Sequence, residues 1–115
     1  MRRVTLILAA MAMMVSLFAV AAYAAEIWGT DKNDKIFETN QDDTIFGRQG
    51  NDYIDATKYD GDTDKVEGNR DNDTISVEDG DNKDSVDGGQ DFDVCLGDPN
   101  DTIINCEVVN GFPVE

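Results

Sequence analysis

The sequence predicts an all-β fold, a coil of short strands joined by turns rich in aspartate and glycine. One observation is a nine-residue unit, Gly-x-x-Gly-x-Asp-x-(Ile/Val)-x, whose clearest copy is GRQGNDYID at residues 47–55. Another is its internal order, since turn-forming residues precede three that alternate polar, apolar and polar as in a short strand. The third is an unbroken column of apolar residues at one position of successive units: Ile27, Ile36, Ile45, Ile54, Val66, Ile75, Val86, Cys95 and Ile103.

Successive units alternate in regularity. The odd turns, 29–34, 47–52, 68–73 and 88–93, contain no insertion, whereas the even turns, 38–43, 56–64, 77–84 and 97–101, carry every length change. If two units complete one coil, the odd turns stack on one edge (the regular edge) and the even turns on the other (the variable edge). We therefore expect about four coils. The regular edge should hold a glycine column and an aspartate column: Gly29, Gly47, Gly68 and Gly88, and Asp34, Asp52, Asp73 and Asp93.

The first 24 residues have the order of a secretory signal peptide. Two arginines precede an apolar run over residues 4–20, and the small-residue pattern Ala22-Tyr23-Ala24 follows it. The alternative is an uncleaved membrane anchor, although the run is about the shortest that could span a bilayer. We expect cleavage after about Ala24 and a secreted domain over residues 25–115.

The charge of this domain is strongly negative. Because the leader holds two of the nine basic residues and none of the 25 acidic ones, residues 25–115 have a formal net charge of −18. So acidic a chain with few large apolar side chains is disordered unless a cation offsets the repulsion. Nucleic-acid binding is excluded because no basic patch is present.

Two cysteines, Cys95 and Cys106, both lie in the exported part, 11 residues apart. In an oxidising compartment such a pair predicts one disulfide. Zinc is the alternative, but two thiols and no histidine make a poor zinc site. Closing so short a loop stabilises a fold by about 2 to 3 kcal/mol, and we expect the bond to pin the C-terminal end.

The repeat resembles the nonapeptide G-G-x-G-x-D-x-U-x of the repeats-in-toxin (RTX) family, over about residues 29–104. That resemblance implies a parallel β-roll, a right-handed β-solenoid that binds Ca²⁺ between stacked turns. It also implies about three calcium sites on the regular edge. There the ligands would be the carboxylates of Asp34, Asp52, Asp73 and Asp93 and backbone oxygens of the turns at Gly29, Gly47, Gly68 and Gly88.

Calcium also fits on chemical grounds, because it takes six to eight oxygen ligands and these turns offer oxygen donors. The alternative is that the aspartates are solvated turn residues. On the variable edge the turns lack the glycines, so we expect weaker ligands at the aspartate position there: Asp43, Asp64, Asp84 and Asp101.

Two further features are ambiguous. Asp60, Asp62 and Asp64 imitate the start of an EF-hand loop, but the required glycine and glutamate are missing, which favours a solvated insertion over an accessory ion site. Near the N-terminal end three aromatic residues could cover an open coil end, which we favour, or dock a partner. They are Trp28, Phe37 and Phe46.

Catalysis has little support, since the chain has no histidine and no base within motif distance of its serines. We expect no enzyme. The predicted function is a secreted, monomeric calcium-ion-binding protein that couples folding to extracellular calcium and has no nucleic-acid or, after cleavage, membrane partner. The alternative is a calcium-dependent, adhesin-like interaction module whose protein partner the sequence does not name.

Overall fold

A computed structural model describes residues 24–81 and 83–114, which form eleven short strands and no helix. The predicted leader lies almost wholly outside these residues. Within the described part of the chain, no helix is long and apolar enough to cross a membrane. The strands are β1 (Glu26–Trp28), β2 (Lys35–Phe37), β3 (Thr44–Phe46), β4 (Tyr53–Asp55), β5 (Lys65–Glu67), β6 (Thr74–Ser76), β7 (Ser85–Asp87), β8 (Val94–Leu96), β9 (Thr102–Ile104), β10 (Val108–Val109) and β11 (Phe112–Pro113).

The strands form two sheets, and each coil contributes one strand to each sheet. One sheet has the order β1-β3-β5-β7-β9 and the other β11-β10-β8-β6-β4-β2, and every pairing except that of β10 with β11 is parallel. Because consecutive strands from β1 to β10 lie in opposite sheets, two units complete one coil, as predicted. The register matches the apolar column: Ile36 pairs with Ile54 and Ile54 with Ile75, while Ile45 pairs with Val66. The predicted all-β solenoid of about four coils is confirmed.

The core is a single row of side chains between the two sheets. The central residues of β3 to β8 are fully buried, whereas the residues that flank them point outward and are partly or fully exposed. Ala56 and Val77, which stand at the glycine position of two even turns, are also fully buried and extend this row. Burial of one Val or Ile side chain contributes about 1.5 to 3 kcal/mol, so the strand positions account for most of the apolar stabilisation.

The C-terminal end is closed by the predicted disulfide and by a hairpin. Cys95 and Cys106 are bonded, with their Cα atoms 6.1 Å apart. Beyond the bond, β10 pairs with β8 and turns back through Asn110 and Gly111, both at positive φ, into β11. Asn-Gly favours such a two-residue hairpin turn. The sequence analysis did not predict this hairpin.

The three N-terminal aromatic residues do not form one cluster. Trp28 and Phe46 stack with ring centroids 4.2 Å apart, and they are paired neighbours in β1 and β3. Phe37 lies in the other sheet and is exposed. Since each alternates with a residue of the apolar column, the rings lie on the outer faces of the coils and do not jointly cover the coil end.

Candidate metal centre

On the regular edge the four predicted aspartates form a ladder. The backbone N–H of Asp34 donates to Oδ1 of Asp52 at 2.9 Å, that of Asp52 to Oδ1 of Asp73 at 2.8 Å, and that of Asp73 to Oδ1 of Asp93 at 2.8 Å. Each carboxylate thus ties its turn to the turn one coil earlier. The ladder ends at Glu107, whose Oε2 accepts from the N–H of Asp93 at 2.7 Å.

The other carboxylate oxygen of each inner aspartate, Oδ2, does not link the turns in this way. Oδ2 of Asp52, Asp73 and Asp93 is buried, and among the described residues it has no hydrogen-bond partner. Burying a polar atom without a hydrogen bond costs free energy, so each of these oxygens calls for a partner. Asp34 at the end of the ladder differs, because its Oδ2 accepts from the N–H of Thr30 at 2.6 Å.

The glycine column lies directly beside these oxygens. A Cβ atom on Gly47 would be 2.7 Å from Oδ2 of Asp52 and 2.9 Å from the backbone carbonyl oxygen of Gly68. Glycine is therefore required for close approach. A carboxylate oxygen and a backbone carbonyl oxygen therefore both face the space beside this glycine, and these are the two donor types that calcium binds in proteins.

Burial also raises the pKa of three aspartates of this ladder. Loss of solvation raises the pKa of Asp73 to about 8 and that of Asp93 to about 6, and it raises the pKa of Asp52 as well. Neighbouring carboxylates add to the rise, because stacked negative charges repel each other. The ionised form of the ladder is therefore costly at neutral pH without a nearby cation.

The variable edge carries a second ladder of the same design. The N–H of Asp43 donates to Oδ1 of Asp64 at 2.8 Å, that of Asp64 to Oδ1 of Asp84 at 2.8 Å, and that of Asp84 to Oδ1 of Asp101 at 3.0 Å. Oδ2 of Asp64 and of Asp84 is buried without a hydrogen-bond partner in the described part of the chain. The missing glycines have not prevented the aspartates from stacking.

Carboxylate groups converge at three places on the variable edge. In each group, one oxygen from each residue lies within 4.8 Å of the others, and no group of this kind is found on the regular edge of the described chain. The groups are Glu38, Asp43 and Asp64; Asp62, Asp79 and Asp81; and Asp81, Asp84 and Asp101.

The group at Glu38 is the most buried of the three. All its members are buried, and Oε1 of Glu38 accepts from the N–H of Tyr59 at 2.7 Å. Oε2 of Glu38 and Oδ2 of Asp64 have no partner among the described residues. Burial, followed by the contact with Glu38, raises the pKa of Asp64. Such a site favours either a shared proton or a cation.

No lysine or arginine among the described residues forms an ion pair with a ladder carboxylate. Two ion pairs occur among residues 24–81 and 83–114, Arg48 with Asp31 and Lys65 with Glu67, and neither includes a ladder carboxylate. Both pairs are largely exposed to solvent, where ion pairs contribute little. The buried carboxylate oxygens therefore fit a hard cation bound between coils, and the donor set contains oxygen alone.

Sequence reasoning missed part of the variable edge. Glu38 occupies a glycine position, and a carboxylate there could have been noticed as a break in the turn pattern. Asp79 and Asp81 are separated by one residue in a lengthened turn. Their possible role as ligands becomes visible only when the coils are stacked. The preferred interpretation of the 60–64 stretch was wrong for Asp62, which is 7 % exposed and hence not solvated.

Comparisons of the chain with protein-family models, with curated proteins and with solved structures found no match. The RTX resemblance therefore stays a prediction that depends on the repeat residues themselves. The aspartate ladders and the three acidic groups are properties of the structure and do not depend on that resemblance.

Proposed function

We propose that the chain is a secreted calcium-binding protein of the RTX type whose stacked turns bind Ca²⁺ between coils and whose folding responds to extracellular calcium. The observation that supports this most is the pair of aspartate ladders, whose inner members bury Oδ2 atoms that have no hydrogen-bond partner among the residues that the structure describes. The disulfide between Cys95 and Cys106 supports export, because such bonds persist in oxidising compartments.

Calcium fits the donors better than other common metals. Zinc and copper prefer nitrogen or sulfur ligands, whereas the chain has no histidine and both cysteines are bonded to each other. Magnesium demands a small octahedral site and retains several waters. Calcium–oxygen distances of about 2.3 to 2.6 Å place opposite ligands roughly 4.6 to 5.2 Å apart, which is compatible with oxygens that lie within 4.8 Å of one another.

The chain's own residues explain why binding and folding should be linked. Oδ1 of each inner ladder aspartate holds the preceding coil through a backbone N–H, so a coil must stack before its Oδ2 is buried. Calcium, when bound, supplies the positive charge that offsets these buried carboxylates. Because the stacked arrangement is absent from the unfolded chain, a ligand of the folded state stabilises it by mass action.

The proposal is tested by calorimetric titration of the protein without residues 1–24, first stripped of metal and then given Ca²⁺ or Mg²⁺. We expect saturable binding of several Ca²⁺ ions per chain and much weaker binding of Mg²⁺. Absence of calcium binding at millimolar concentration would contradict the proposal, and equal binding of both ions would contradict its choice of metal.

A second candidate is the adhesin-like module, in which the calcium-bound coils present an outer face to a partner. Exposed aromatic side chains on the outer faces favour it: Trp28 is 58 % and Phe37 60 % exposed. Calcium-dependent capture of one protein from culture medium, reduced by Phe37→Ser, would support this function. Equal capture by both forms would oppose a role for that face.

A further inference from the structure

The two lengthened turns of the variable edge, residues 56–64 and the described part of 77–84, are joined by a hydrogen bond between their extra residues. The N–H of Gly61, at φ 84°, donates to Oδ2 of Asp81 in the next coil at 2.9 Å. The second insertion contacts the following turn in the same way, because the N–H groups of Asp79 and Gly80 donate to Oδ2 of Asp98 at 3.0 and 2.9 Å. The extra residues are therefore joined between coils by the same kind of hydrogen bond as the ladder aspartates, from a backbone N–H to an aspartate carboxylate.

Asp62 is the unusual member of the first insertion. Its side chain is 7 % exposed, and neither carboxylate oxygen accepts a hydrogen bond from another described residue. One of these oxygens lies within 4.8 Å of carboxylate oxygens of Asp79 and Asp81. Oδ2 of Asp79 is likewise buried without a partner among the described residues. An ionised carboxylate held in this way requires a positive partner.

No positively charged side chain among the described residues is paired with Asp62. Burial raises the pKa of Asp62 to about 6, and the charged groups that add to this rise are all acidic, namely Glu38, Asp79 and Asp43. The ion pairs of the described chain lie elsewhere. A solvated loop would leave Asp62 exposed, so it does not explain the burial of this side chain. A purely structural role would supply hydrogen-bond donors to its carboxylate oxygens, and the described residues supply none.

We propose that Asp62, Asp79 and Asp81 form an additional divalent-cation site, which the extra residues of the two lengthened turns add beside the ladder and which bridges two coils of the variable edge. The inference relies on the proposed function in naming Ca²⁺ as the ion. Both oxygens of Asp62 and Oδ2 of Asp79 are available as ligands. Those of Asp81 accept from Gly61 and Lys83 but, with two lone pairs each, keep capacity to coordinate.

The test compares Asp62→Asn with Asp60→Asn by calorimetric Ca²⁺ titration of the chain without residues 1–24. Both variants remove one negative charge from the same insertion, but Asp60 is exposed and outside the acidic group. We expect Asp62→Asn to bind one ion fewer per chain, or to lose at least tenfold in affinity for one ion, while Asp60→Asn matches the unchanged protein. Asp79→Asn should reproduce the loss.

Circular dichroism in saturating calcium confirms that each variant is folded. Since replacement of a buried, unpartnered carboxylate by its isosteric amide removes repulsion, both site variants should fold, and failure of both to fold would overturn the inference. So would an unchanged stoichiometry and affinity in folded Asp62→Asn, or an equal loss in Asp60→Asn. If the unchanged protein binds no calcium, the proposed function itself fails. If it binds and the variants do not differ from it, only the insertion site is refuted.

Discussion

At the scale of single residues, each inner aspartate of the ladders divides its two oxygens between two roles. In Asp52, Oδ1 accepts from the N–H of Asp34 and so fixes the stacking of the turns. Oδ2 has no hydrogen-bond partner within the described part of the chain and lies beside the glycine column. A neutral residue of the same shape keeps the first role and loses the second, and this separates stacking from metal binding.

Asp52→Asn should therefore weaken calcium binding and strengthen the metal-free fold. We expect the affinity of one ion to fall by roughly tenfold, about 1.4 kcal/mol, because a charged ligand becomes a neutral amide. In chelator at neutral pH, where the unchanged protein should be disordered, the variant should retain more β structure, because a buried charge has been removed. Calorimetry and far-UV circular dichroism measure the two effects.

Asp31→Asn is the matched control for this prediction, since Asp31 lies in a turn of the same edge but is exposed and paired with Arg48. It should leave the β content in chelator unchanged and shift the calcium affinity by no more than a few tenths of a kcal/mol. Equal calcium affinity in Asp52→Asn and the unchanged protein would remove Asp52 from the set of ligands.

At the scale of elements, the strand was predictable and the insertions were not. The strand signal is local, because a buried Ile or Val between two outward residues recurs at a fixed place, and that column set the register of Ile36 with Ile54. The order of the insertions depends on hydrogen bonds between coils, such as Gly61 to Asp81, which no local pattern contains. Glu38 was missed for the same reason, since its neighbours Asp64 and Tyr59 come from the next coil.

The disulfide at the C-terminal end gives the clearest test at this scale. Reduction of the Cys95–Cys106 bond should lower the free energy of unfolding in calcium by about 2 to 3 kcal/mol, because the unfolded chain regains the entropy of an 11-residue loop. The hairpin that follows should lose hydrogen-exchange protection first. Urea unfolding with and without reductant measures the change.

The double variant Cys95→Ala, Cys106→Ala supplies the control, since it should already have the lower stability and should not respond to reductant. Equal stability of the oxidised and reduced protein would show that the C-terminal end is held by the β10 pairing with β8 and not by the bond.

At the scale of the whole molecule, the net charge and the buried carboxylates make stability without metal depend on pH. Burial raises the pKa of Asp73 from 3.8 to about 8 and that of Asp84 to about 7, so the folded state binds protons that the unfolded chain releases. The stability of the metal-free fold is therefore greatest below about pH 4 and is lost as the pH rises toward 8.

We expect the metal-free protein to have more β structure at pH 4.5 than at pH 8, where it should be disordered. Added calcium should increase the β content more at pH 8, because its ligands are ionised there. Far-UV circular dichroism measures both changes. A metal-free β content that increases from pH 4.5 to pH 8 would contradict the burial of ionised carboxylates as the main cost of folding.

The most direct test of the whole account is a far-UV circular dichroism titration of the metal-free chain without residues 1–24 at neutral pH, with Ca²⁺ and then with Mg²⁺. We expect a disordered spectrum without metal and a cooperative change to a β spectrum with calcium, and little change with magnesium at the same concentration. A chain that is already folded in chelator, or that does not respond to millimolar calcium, would contradict the claim that calcium bound between coils completes this fold.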